Sequence, residues 1–96
     1  MITHIVMLKA KENTTKEELK EIKTMLEELP KEIKELKHME AGINFKKSDR
    51  ALDLALYSKF DTKEDLAIYA THPAHLKVVE LIKQRCEYTR VVDYEK

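Results

Sequence analysis

Hydrophobic and polar positions change period several times along the chain, and each change marks an element. Ile2-Thr3-His4-Ile5-Val6-Met7-Leu8 is apolar and β-branched, which predicts a buried strand. Its alternation sets Ile2, His4, Val6 and Leu8 on one face and Ile5 and Met7 on the other. From Thr14 the period becomes helical. Thr14-Thr15-Lys16-Glu17-Glu18 holds two overlapping T-x-x-E capping boxes, in which hydroxyl and carboxylate satisfy free helix N–H groups. Leu19, Ile22, Leu26, Leu29, Ile33 and Leu36 follow at spacings of three and four, with Lys and Glu filling the other side. Pro30 interrupts this stripe, so it predicts core packing rather than a coiled-coil seam. The helix is expected to stop near Leu29, with a short second turn from Pro30 to about Lys37.

Gly42–Lys46 predicts a second strand and Leu52–Phe60 a third, joined as a hairpin by the polar turn Lys47-Ser48-Asp49-Arg50. Leu52, Leu54, Leu56 and Phe60 share one face of the third strand. Asp61-Thr62-Lys63-Glu64-Asp65 opens a helix with acidic residues at its positive end, running to about Tyr69. Pro73 suits the first turn of another helix, which carries Ala74, Val78, Leu81 and Ile82 on its apolar side. Cys86–Tyr94 closes as a fourth strand. The order β-α-β-β-α-β predicts an α+β, ferredoxin-like subunit: an antiparallel four-stranded sheet with its helices on one face. Ile5, Met7, Ala55 and Tyr57 fall on the other face. A second copy of the sheet is the natural cover for them, so the pattern predicts a homodimer.

Composition narrows the function classes. A chain of 96 residues predicts one domain, 1–96. Eighteen Lys+Arg balance eighteen Asp+Glu, which argues against nucleic acid as partner. No apolar run reaches the length of a membrane span, and the N-terminus lacks a signal-peptide pattern, so no membrane partner is expected. A single cysteine, Cys86, cannot form an internal disulfide and fits a reducing, cytoplasmic setting. Nothing near it in sequence lowers its pKa, which predicts an inert buried thiol.

The histidines carry the candidate chemistry. His38 lies in a Lys/Glu-rich junction and reads as a solvated residue, whereas His4 sits on the apolar face of the first strand. Tyr69-Ala70-Thr71-His72-Pro73-Ala74-His75 is the most informative stretch. Pro73 at the first helical position makes His72 the N-cap and puts His75 in the first turn, where free amides and the dipole disfavour an imidazolium. A neutral His75 can serve as a general base, and the Tyr69 phenol can donate to a carbonyl oxygen gaining negative charge. That pair suits proton abstraction next to a carbonyl, hence enolisation or aldol-type chemistry. The same residues equally suit structure alone, with His72 as cap, His75 bonded to a carbonyl and Tyr69 as a core aromatic. His72 and His75, at i and i+3, also resemble a metal pair, but no carboxylate stands at a convincing third position, so no metal site is expected.

Taken together, the M-I-T-H-I-V-M-L-K strand, Gly42-Ile43-Asn44, Asp53-Leu54 leading to Phe60, Tyr69 through His75 and the closing Arg90-Val91-Val92-Asp93-Tyr94 resemble the stress-responsive dimeric α/β-barrel (Dabb) family. The resemblance runs over essentially the whole chain, and the H-P-x-H element with the terminal V-x-D-Y is its most specific part. It implies a homodimer whose two sheets form an α/β barrel. It also implies a pocket between sheet and helices for a small apolar or carbonyl-containing ligand, with His4, Val6, Leu8, Leu56, His72 and Val78 as its lining. Plant polyketide cyclases of the family perform aldol-type closure without a cofactor, which implies His75 as base and Tyr69 as its orienting or oxyanion-donating partner. Some relatives hold Mg²⁺ through backbone carbonyls at the end of the first helix, near Leu26, Leu29 and Glu32 here.

Overall fold

The computed structural model describes residues 1–96. Strand β1 spans Ile2–Ala10, helix α1 Lys16–Glu28, β2 His38–Ile43, β3 Leu54–Phe60, α2 Lys63–Thr71, α3 Pro73–Arg85 and β4 Cys86–Glu95. The strands form one antiparallel sheet in the order β2-β3-β1-β4. This is the ferredoxin-like α+β arrangement, with its second helical segment broken in two at His72-Pro73.

Of the two overlapping capping boxes, Thr15 and Glu18 make the one that forms. The Thr15 hydroxyl accepts from Glu18 N–H and the Glu18 carboxylate accepts from Thr15 N–H. These bonds hold the Glu18 carboxyl below the usual carboxylate range. All six residues of the apolar stripe, Leu19 to Leu36, are buried. Pro30 has no N–H to give, so the chain tightens into a 3-10 turn over Leu29–Lys31. The expected continuation to Lys37 is irregular, yet it still delivers Ile33 and Leu36 to the core.

Strands β2 and β3 are bounded differently from the sequence reading. β2 begins at His38 and ends at Ile43, so His38 stands in the sheet, and Phe45 lies beyond it at 97% exposure. Met39, Ala41 and Ile43 alternate inward, a period of two hidden behind the Lys/Glu-rich run before it. Asn44 then bonds across to Lys46 through both amide atoms, turning the chain out of the ladder. β3 starts at Leu54, and just before it the Asp53 carboxylate accepts from Ala10 N–H at 2.8 Å.

The core lies between the sheet and the helices, where Leu8, Leu54, Leu56, Phe60, Ile22, Leu26 and Val78 pack together. Ser58 falls on this face too, and its hydroxyl is satisfied by the His4 carbonyl at 2.9 Å. The opposite face carries Ile5, Met7, Ala55 and Tyr57 as expected, and register adds Val92 opposite Ile5 and Tyr94 opposite Thr3. Cys86 is buried, and burial pushes its thiol pKa up.

Candidate functional site

The break between α2 and α3 builds the site. A residue before proline is driven to extended backbone, and His72 sits at φ −66°, ψ 135°. It ends α2, its N–H donating to the Tyr69 carbonyl at 3.1 Å. It also caps α3 with its own ring, where Nδ1 accepts from Ala74 N–H at 3.1 Å. Ala74 is the donor that a continuous helix would have given to the Ala70 carbonyl. That carbonyl is left free, and His75 Nδ1 bonds to it at 3.1 Å. A carbonyl only accepts, so the Nδ1 proton of His75 is fixed and Nε2 carries the lone pair. Burial lowers the His75 pKa, the Ala70 bond opposes this, and the charges of His4 and His72 lower it further.

The corner also folds Tyr69 back against His75, their ring centroids 4.1 Å apart. Tyr69 is 1% exposed, packing edge-on to His4 and at a tilt to Phe60. Burial raises its pKa, so the phenol keeps its proton, yet its hydroxyl has no hydrogen-bond partner in the protein. Across the sheet, His4 stands opposite Asp93, and its Nδ1 bonds the Asp93 carboxylate. A carboxylate orients an imidazole in this way and favours the lone pair on the far nitrogen.

His4, Tyr69 and His75 line one cavity of about 320 Å³ between β1, β4 and the helices. His4, Val6, Leu8, Leu56, Tyr69 and His75 form part of its wall, from among the residues singled out in the sequence. His72 and Val78 do not. The His72 ring is spent on the cap, and Val78 turns toward Met25 and Leu29 at the end of the first helix. The next residue, Val79, faces the cavity instead, with Lys83 one turn on. The i, i+4, i+8 spacing from His75 was the signal for both, and two-residue alternation in β4 was the signal for Thr89 and Val91. Asp93 belongs to the terminal V-x-D-Y, but its pairing with His4 follows only from sheet register.

Of the carbonyls near the end of α1, that of Leu29 is not free for a cation. The Leu29 carbonyl already accepts from Glu32 and Ile33 N–H, at 3.0 and 2.9 Å, which uses both lone pairs. No cluster of three or more His, Cys, Asp or Glu side chains is placed to hold a metal. No helix is long and apolar enough to cross a membrane.

Comparison with known proteins agrees with this architecture. The model of the stress responsive A/B barrel domain family matches residues 2–96. A stress-response A/B barrel domain-containing protein of Arabidopsis thaliana is 30% identical over 95 residues, 98% of this chain. The chain spans 36% of the length of that relative. A dimeric protein of unknown function and ferredoxin-like fold from Bacteroides fragilis superposes with a TM-score of 0.88 at 32% identity, covering 99% of this chain and 95% of that one. A hydroxynitrile lyase from Passiflora edulis shares the fold, with a TM-score of 0.84 at 23% identity, 97% of this chain and 90% of that one.

Proposed function

The chain belongs to the stress-responsive A/B barrel domain family, and on that footing we propose that it works as a homodimer binding a small apolar molecule with a carbonyl group. The ligand occupies the cavity between sheet and helices, one per subunit. The observation that carries this reading is Tyr69, a residue of the wall of a mostly apolar cavity, whose hydroxyl is buried, protonated and without a partner in the protein. A buried donor left unmade costs about 1–3 kcal/mol, and a ligand carbonyl repays that cost. The dimer accords with the apolar outer sheet face and with the dimeric relative from Bacteroides fragilis.

The tautomer of His75 favours a second reading, in which the bound carbonyl compound also reacts. Nε2 of His75 takes a proton from the carbon beside the carbonyl while Tyr69 donates to the oxygen as it gains negative charge. The resulting enolate carbon attacks a second carbonyl, and the proton returns from His75 to the new alkoxide. This cofactor-independent aldol-type chemistry uses a half-buried neutral base and a protonated phenol, the two states that burial favours here. The fold of the hydroxynitrile lyase from Passiflora edulis, a scaffold that hosts a lyase, is in keeping with it.

Titration of the isotopically labelled protein with 2-octanone tests the binding reading. Amide shifts are expected at Tyr69, His75, Val79 and Val91. Shifts scattered over the surface, or none, overturn it.

A further inference from the structure

From the position of Lys83 we infer that the ligand is an anion: a small carboxylate whose chain runs from Lys83 to the Tyr69 and His75 end of the cavity. This rests on the ligand-binding reading and adds the chemistry of the ligand's other end. Lys83 is the sole permanently charged residue on the cavity wall, which contains no Asp or Glu. It makes no ion pair, whereas Arg85, two residues along, is held by Glu18 and Glu21. Glu87 shares a neighbouring cleft with Lys83 but stands beyond ion-pair distance. Asp93, at the histidine end, is taken by His4. Lys83 is exposed where the cavity wall meets solvent, so its ammonium is hydrated, uncommitted and free to meet an anion that enters the apolar cavity.

The geometry sets the length of that anion. His75, Val79 and Lys83 follow one another on a single stripe of α3, and the first and last are about 12 Å apart along the axis. A helical side chain leans toward the N-terminus, so the lysine ammonium comes back toward His75 and shortens the gap. Val79, Ile82 and Val91 line the stretch between. A carboxylate and a carbonyl separated by about six carbons bridge the two ends, and at about 30 Å³ per small group the cavity takes about ten heavy atoms. Neutral His75 leaves Lys83 unrivalled for the carboxylate, which orients the ligand carbonyl-first.

Titrations of the full chain with 7-oxooctanoate and with 2-octanone, in low salt, test this. The keto acid is expected to bind more tightly than the neutral ketone, by up to about fivefold, as for an exposed ion pair. The difference should vanish in Lys83→Gln and survive in Lys83→Arg. Equal affinities in the unmodified protein, or a difference that persists in Lys83→Gln, overturn the inference while leaving the ketone site standing. Failure of both probes to reach the cavity overturns the binding reading along with it.

Discussion

The Tyr69 and His75 rings lie 4.1 Å apart at a tilt of 35°, and the hydroxyl of the first has no partner while the second is fixed by the Ala70 carbonyl. A core chosen for stability alone would carry phenylalanine at position 69. Tyr69→Phe should therefore raise the unfolding free energy by about 1 kcal/mol, the penalty of the unmade bond relieved. The same change should weaken 2-octanone binding about fivefold through loss of one hydrogen bond. Chemical denaturation and ligand titration read the two effects separately. A destabilised Tyr69→Phe protein with unchanged binding would make the hydroxyl structural.

His75 gives stability a direction on the acid side. Its folded pKa lies below the ordinary 6.5, because burial penalises the charged ring. The unfolded chain therefore takes up this proton first as pH falls. The full contribution is present above 6.5, and it declines as pH drops through 6.5 to the folded pKa, below which the loss is complete. Urea midpoints between about pH 5 and 7.5 should fall toward acid, and His75→Gln should flatten that decline. An NMR titration of the His75 ring with its midpoint above 6.5 contradicts the neutral-base assignment.

What could be read from residues alone follows from which signals are local. Helix α1 announces itself through Thr15, Glu18 and a stripe whose every member is buried, because cap and period act within a few residues of one another. The Tyr69 and His75 pairing was legible for the same reason, since Pro73 dictates the corner between them. Strand β2 was misplaced because Met39 and Ala41 stand beside a Lys/Glu-rich run, and alternation over so few residues is a faint signal. Asp93 meets His4 only through sheet register 89 residues away along the chain, and Val79 replaces Val78 on the wall by a rotation of one residue. Contacts of that kind exist only after the strands have paired.

The corner itself can be weighed. His72 accepts from Ala74 N–H and so satisfies one of the free amides at the start of α3. His72→Ala should cost about 0.5–2 kcal/mol, and His72→Asn should recover most of that as a good N-cap. Because the His72 ring stands outside the cavity, either variant should keep its affinity for 2-octanone within about twofold if the backbone corner holds. Thermal unfolding and ligand titration on the three proteins check both parts. Loss of binding in His72→Asn with stability intact would place His72 in the ligand site.

The outer sheet face decides whether the chain works alone. Val92 is 54% exposed, sits opposite Ile5 and shares its face with Met7, Tyr88 and Tyr94. Within one subunit, Val92→Glu adds a charge to open solvent and should leave helix and strand content unchanged. In a two-fold dimer built on this face, the same change buries a carboxylate twice, once from each copy. An unpaired buried charge costs about 3–5 kcal/mol, enough to weaken association more than a hundredfold. Sedimentation of Val92→Glu at micromolar concentration should give the mass of one chain. Lys20→Glu, on the exposed side of α1, should leave the dimer mass unaltered. A Val92→Glu protein that still sediments as a dimer would move the interface off this face.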